Sequence, residues 1–332
     1  MYGQGTVLFV DEIHRWNKTQ QDGLLPFVED GTVILVGSTT ENPFFSLVNP
    51  LLSRSRVFQL NPLTEDDIML IMERALDDTE RGLGTLPINL QSEVARHLAA
   101  EGTHVIVHGR NVERGAALVA EIEEGGKGSA RLYTADLGSF DEVRALARAI
   151  NRDYRRLDVL VNNAGIWLEG PRQLSADGHE LHFQVNYLSG FLLTHELLPL
   201  LRESAPARIV NVSSIAQRPI DFDDVMLENG YSDGRAYAQS KLAQVMFTVD
   251  LAAELQGTGV TVNALHPATM MDTDMVLERG AQARTSVEEG AEAVLFLVDT
   301  PDLGSGGYFN QTTPARGNAQ AYDEEARARL RA

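Results

Sequence analysis

The sequence predicts an α/β protein whose larger part, from about residue 93 to 332, is a doubly wound parallel sheet, with a smaller α/β segment over 1–92 ahead of it. Three observations predict this. Short apolar runs at 104–108, 130–134, 158–162, 208–212 and 260–264 alternate with helical stretches, which is the pattern of successive βα units. Tyr237-Ala238-Gln239-Ser240-Lys241 opens a run with apolar residues at Leu242, Val245, Met246, Val249, Leu251, Ala252 and Leu255, a helical period that places Tyr237 and Lys241 on one face. The apolar runs at 6–10 and 32–36 stand outside that alternation and mark a segment of their own.

In chain order, Thr6-Val7-Leu8-Phe9-Val10 reads as a strand closed by Asp11 and Glu12. This is the form of a Walker B motif, in which the Asp holds Mg²⁺ and the Glu orients a water. A second strand at 32–36 follows, then Ser38-Thr39-Thr40-Glu41-Asn42-Pro43, Leu51-Leu52-Ser53-Arg54-Ser55-Arg56-Val57-Phe58, and a helix over 64–78 capped by Thr64. Over about residues 5–90 this order resembles the middle of a clamp-loader-like, replication-associated recombination AAA+ ATPase, from Walker B to the start of the lid. The resemblance implies Walker B roles for Asp11 and Glu12, a sensor at Thr40 or Asn42, and an arginine finger at Arg54. An ATPase of this kind needs a G-x-x-x-x-G-K-[ST] loop to cradle phosphate, and none of Lys18, Lys127 and Lys241 sits in one. The sequence starts just ahead of Walker B, so Asp11 and Glu12 are expected to be vestigial, with no metal and no ATP hydrolysis.

The larger part begins at Glu93-Val94-Ala95-Arg96-His97-Leu98-Ala99-Ala100, a helix. The strand at 104–108 leads into Gly109-Arg110, the helix 112–124 ends in Gly125-Gly126, and the strand 130–134 ends in Ala135-Asp136. A helix from Ser139, the strand 158–162 closed by Asn162-Asn163-Ala164-Gly165, a long helix over 178–202 containing Asn186, and the strand 208–212 closed by Ser213-Ser214 continue the alternation. After the Tyr237 helix come the strand 260–264, His266-Pro267-Ala268-Thr269, a helix 287–298, a short strand 307–309 and an Ala/Arg/Glu-rich tail read as a surface helix.

An ammonium one turn from a phenol favours the phenolate, which lets the hydroxyl exchange a proton near neutral pH. With three lysines and eight tyrosines in the chain, one Tyr-x-x-x-Lys pair arises by chance with a probability of about 0.07. Asn-Asn-Ala-Gly, the in-helix Asn186, the strand-end Ser214 and Tyr237-x-x-x-Lys241, in this order, resemble the short-chain dehydrogenase/reductase family over about 93–332. The resemblance implies a Rossmann-like fold and an oxidoreductase that interconverts an alcohol and a carbonyl with a nicotinamide cofactor. Tyr237 would exchange the proton with the substrate oxygen, Lys241 would hold the nicotinamide ribose and tune Tyr237, Ser214 would hydrogen-bond the carbonyl, and Asn186 would support a proton-relay water. Cofactor contacts would come from Asn163, Ala164, Gly165, Lys241, Asp136 against adenine and Thr273 at the nicotinamide amide. Arg110 would meet an NADP 2′-phosphate, which makes NADP the expected cofactor with NAD as the alternative; a solvated turn arginine is the plainer reading.

The sequence departs from that family in places. The first strand and its T-G-x-x-x-G-x-G loop, which bring the backbone close to the pyrophosphate, are missing ahead of Glu93, so weak cofactor binding is expected. A parallel sheet without that strand leaves polar backbone unpaired, and the 32–36 strand is expected in its place, with free amides after it at Gly37-Ser38-Thr39. Ala268 stands where glycine is more usual, twenty-two residues separate Ser214 from Tyr237 in the manner of the retinol-dehydrogenase-like branch, and Met270, Met271 and Met275 line a substrate pocket or fill core.

Composition narrows the rest. The 332 residues carry a net charge of −19, acidic in both parts, which disfavours a nucleic-acid partner. No apolar stretch reaches the length of a membrane span, no leader pattern opens the chain, and there is no cysteine, so a cytoplasmic enzyme with a small-molecule substrate is expected, with homo-oligomerisation left open. The rival readings are an ATP-dependent replication or recombination factor and a catalytically silent fusion chain.

Overall fold

Two short apolar strands with a capped helix between them open the described part of the N-terminal unit. The computed structural model describes residues 6–58, 90–273 and 284–332, and the chain divides into two compact units, 1–84 and 85–332. In the first, β1 (Thr6–Val10) pairs in parallel with β2 (Val33–Gly37). The helix α1 (Lys18–Glu29) between them starts at a reciprocal cap of Asn17 and Gln20. Val10, Ile13 and Leu51 are buried, with Leu8 and Leu35 packed against them, whereas Val7, Phe9, Ile34 and Val36 lie exposed on the other face of the pair. Two short helices, α2 (Pro43–Ser46) and α3 (Asn49–Leu52), close the described part of this unit, and Arg56–Phe58 form no strand. The expected helix over 64–78 and Met275 lie outside the described residues.

The second unit is the predicted doubly wound sheet. The helix α4 (Leu90–Ala100) leads to β3 (His104–Gly109), α5 (Val112–Glu124), β4 (Ser129–Thr134), α6 (Phe140–Asp153) and β5 (Val159–Asn162). A helical run follows, made of α7 (Leu181–Phe183), a π-helical turn (Gln184–Leu188) and α8 (Ser189–Glu203). Then come β6 (Ala207–Val212), α9 (Asp233–Glu254), β7 (Val260–His266), α10 (Val287–Asp299), β8 (Tyr308–Asn310), β9 (Thr313–Ala315) and α11 (Glu324–Arg331). Asn111, Ser139, Ser232 and Ser286 cap α5, α6, α9 and α10 by accepting a bond from a first-turn N–H.

Alternate residues of the strands enter opposite layers, which is why both faces of the sheet carry helices. Ile209, Val260, Val262 and Ala264 join the layer of α6, α8 and α9 with Leu197, Leu201, Leu242 and Met246. Val210, Val212 and Leu265 join Val94, Ala291, Val294 and Leu297 of α4 and α10.

Hydrogen bonding orders the strands as β3-β4 in one sheet and β5-β6-β7-β8-β9 in another, parallel except for the antiparallel β9. Every residue of β5 is only half-buried, as are Val105–Gly109 of β3, while β6 and β7 are almost wholly buried. Both observations fit an interruption between β3 and β5. The expectation that the 32–36 strand takes that place is not met among the described residues, because β2 pairs with β1 instead. Nor is the Ser38 amide after β2 free, since it donates to Val10 O at 3.0 Å.

Candidate active site

The helix α9 is buried from Gln239 to Thr248, and Tyr237, one turn into it, is 9% exposed. Lys241 follows on the same face, with Nζ 5.7 Å from the centre of the Tyr237 ring. That ammonium donates to Val212 O at the end of β6 at 2.9 Å, and Ser213 Oγ donates to Lys241 O at 2.6 Å, so helix and strand end are tied together. Ser214 comes next. Its carbonyl accepts from Tyr308 OH at 2.9 Å and Gln217 Nε2 at 2.8 Å, which fixes the backbone that carries its hydroxyl.

Asn186 sits in the π-helical turn, where one extra residue per turn lets its amide reach sideways. Its Oδ1 accepts from Ile166 N–H at 2.7 Å while Nδ2 donates to Ile166 O at 3.0 Å and Ser240 Oγ at 3.0 Å. Ser240 Oγ in turn donates to Tyr237 O at 2.7 Å. Asn186 thus joins the turn after Asn163-Ala164-Gly165 to α9, a bridging use of an amide expected from the family resemblance to support a water relay. Asn162, at the end of β5, donates to both Asn211 Oδ1 and Thr194 Oγ1 at 2.9 Å and locks the strand ends.

Burial lowers Lys241 to about 7 from its ordinary 10.5. His266, at the end of β7, is lowered to about 4, first by burial and then by the charge of Lys241. Tyr308 is pushed up to about 12, mainly by burial. A side chain at Gly165 would bring its Cβ 3.2 Å from Lys241 Nζ and 3.4 Å from Asn186 Oδ1, so glycine keeps open the space beside the ammonium.

The remaining expected residues lie apart from this cluster in sequence and are taken in turn. Arg110 and Asp136 follow β3 and β4 and stand beside each other at 4.0 Å, both well exposed. Thr273 N–H bonds back to Met271 O at 2.8 Å in the bend after β7. In the N-terminal unit Glu12 accepts from Thr40 Oγ1 at 3.2 Å, Asp11 accepts from Ser38 Oγ, Asn42 caps α2, and Arg54 pairs with Glu29 at 2.8 Å. Among the described residues no cluster of His, Asp and Glu is placed to hold a metal.

Sequence reasoning missed Trp167 and Tyr308. The Trp167 ring stacks on that of Tyr237, centroids 4.4 Å apart and planes within 11°. Its position just past Asn163-Ala164-Gly165-Ile166 was the available signal. Tyr308, ninety-four residues from Ser214, offered none.

A family model described as short chain dehydrogenase matches residues 90–284. The chain belongs to that family. Human retinol dehydrogenase 11 is 36% identical to this short-chain dehydrogenase over 253 residues, covering 72% of this chain and 79% of that protein. An uncharacterized protein from Mycobacterium paratuberculosis superposes with a TM-score of 0.60 at 30% identity, over 73% of this chain and 86% of that one. The RhlG/NADP active-site complex of Pseudomonas aeruginosa does so with 0.53 at 28%, over 68% and 90%. The chain is an NAD(P)-dependent oxidoreductase acting on an alcohol/carbonyl pair.

Proposed function

We propose that this dehydrogenase interconverts an apolar alcohol and its carbonyl with NADP, using Tyr237 as the proton donor and acceptor. The observation that carries this reading is the buried Tyr237–Lys241 face of α9, with the ammonium held at the strand end by Val212. Residues present fit a nicotinamide nucleotide at its ribose end: Lys241 Nζ has donors beyond the one given to Val212, and Gly165 leaves room beside it. When bound there, the nicotinamide supplies or takes the hydride. Lys241 would hold a ribose hydroxyl and favour the phenolate of Tyr237, the Ser214 hydroxyl would orient the substrate oxygen, and Tyr237 would pass the proton to or from that oxygen. Arg110 and Asp136, exposed side by side, suit the adenosine end, and the arginine favours a 2′-phosphate. Leu168 and Ile215, next to Trp167 and Ser214 in the chain, are exposed apolar side chains and support an apolar substrate of the kind retinol dehydrogenases are named for.

The sequence feature that opposes tight binding is the absence of a T-G-x-x-x-G-x-G loop ahead of α4. The N-terminal unit is proposed as a fused AAA+ fragment without ATPase activity, in keeping with Arg54 being taken up by Glu29. The test of the enzymatic reading is NADPH oxidation with a panel of apolar aldehydes and ketones. Tyr237→Phe is expected to lower the rate roughly 100-fold or more, because proton transfer by a placed side chain contributes that much. Retained activity would remove Tyr237 from the chemistry.

A further inference from the structure

Trp167 stands between two residues whose backbones are held from the same helical run. Ile166 is gripped on both polar atoms by Asn186. On the other side Leu168 N–H donates to His182 Nε2 at 2.9 Å. A ring nitrogen that accepts carries no proton, so the His182 imidazole is neutral with its hydrogen on Nδ1, which donates to Glu180 Oε1 at 2.8 Å. The Glu180 carboxylate also accepts from the backbone N–H of His182 at 3.0 Å and of Phe183 at 2.8 Å. Glu180 is 0% exposed and His182 2%, and neither has a part in the proton chemistry above. Burying such a pair gains little over apolar packing of the same volume. What apolar packing lacks is direction: only a fixed acceptor can hold the Leu168 N–H at one place.

We propose that Glu180 and His182 are positioning residues that clamp the Trp167 indole over the Tyr237 ring, and that Trp167 is the wall by which this site prefers substrates that are flat around the carbonyl. The second half rests on the enzymatic reading of Tyr237. With indole and phenol nearly parallel at 4.4 Å, a carbonyl bonded to the Tyr237 hydroxyl lies at the edge of the stacked pair. A conjugated aldehyde keeps its neighbouring atoms in one plane and can run along the indole. A tetrahedral, branched carbon next to the carbonyl projects into it.

The chain has two tryptophans, Trp16 and Trp167, so a Trp16→Phe background leaves Trp167 as the sole indole reporter. Acrylamide quenching of its fluorescence in the full chain is expected to rise about twofold or more in His182→Leu, to stay near the parent value in His182→Gln, whose amide can both accept and donate, and to stay unchanged in Ile122→Ala, which weakens a separate cluster. Glu180→Gln decides the matter if His182→Leu does not fold, with a smaller rise expected. Turnover of trans-cinnamaldehyde against cyclohexanecarbaldehyde is expected to favour the flat substrate by about tenfold or more, a preference that Trp167→Ala and His182→Leu reduce and His182→Gln keeps. Quenching that does not change in a folded His182→Leu or Glu180→Gln overturns the clamp. An unchanged preference in Trp167→Ala overturns the wall. If the parent turns over neither aldehyde, the enzymatic reading and the wall fail together while quenching still decides the clamp.

Discussion

Lys241 shows at the scale of one residue what the site costs the fold. Its ammonium is buried and its pKa is lowered to about 7, so between there and 10.5 the unfolded chain holds a proton that the folded chain lacks. Stability therefore rises with pH across that window, by up to about 1.4 kcal/mol per pH unit from this group alone, and the full penalty stands below it. Lys241→Met is expected to be more stable than the parent at neutral and lower pH, with an advantage that shrinks as pH rises towards 10.5. Urea unfolding of both proteins at several pH values measures it, and a constant difference would mean that the buried charge is compensated. Tyr237 and Lys241 were legible in the sequence because a helix fixes what lies four residues apart. His266 and the Glu180–His182 pair were not, since their roles come from tertiary contacts that no spacing encodes.

At the scale of the element, the ends of helices and the tail carry the differences. The long helix expected from Gly178 begins at Leu181, because Gly178 has φ +81°, a left-handed conformation outside any right-handed helix, and Glu180 supplies the cap. The strand β9 escaped notice because it has three exposed residues, one of them Pro314. The tail was read as a surface helix, yet it is held down. Arg327 bonds Asp250 at 2.6 Å with both largely buried, and the Gln320 amide both accepts from Ile220 N–H at 2.7 Å and donates to Ile220 O at 3.0 Å. Gln217 likewise joins Ser214 O to Asn318 N–H. The C-terminal segment thereby braces the loop that follows Ser214. Gln320→Ala removes two bonds and leaves a half-buried peptide unpaired, so a loss of about 1–3 kcal/mol is expected. Denaturant unfolding checks the loss, and a higher KM with little change in kcat is expected if the loop shapes the substrate site.

At the scale of the whole molecule, the alternation of strands and helices was legible because each βα unit writes its own apolar run, and the turns that carry the candidate site residues fell where those runs ended. What joins β3 to β5 was not legible. The strand expected there, 32–36, pairs with β1 among the described residues. An interrupted parallel sheet leaves alternate amides of β3 and β5 without a strand partner, so their hydrogen exchange is expected to be faster than that of β6 and β7 by about tenfold or more. Protection equal to that of β6 would mean that a further strand completes the sheet. The same interruption falls where a phosphate-binding turn belongs in this family, next to the start of α4 at Leu90. Grafting an apolar strand and a T-G-x-x-x-G-x-G loop ahead of Glu93 is therefore expected to slow exchange in β3 and β5 and to tighten NADPH binding about tenfold or more, some 1.4 kcal/mol. Fluorescence titration of NADPH into the chain with and without the graft measures the second effect. Equal affinities would show that Lys241, Arg110 and the turn at Gly165 hold the nucleotide without help from a glycine loop.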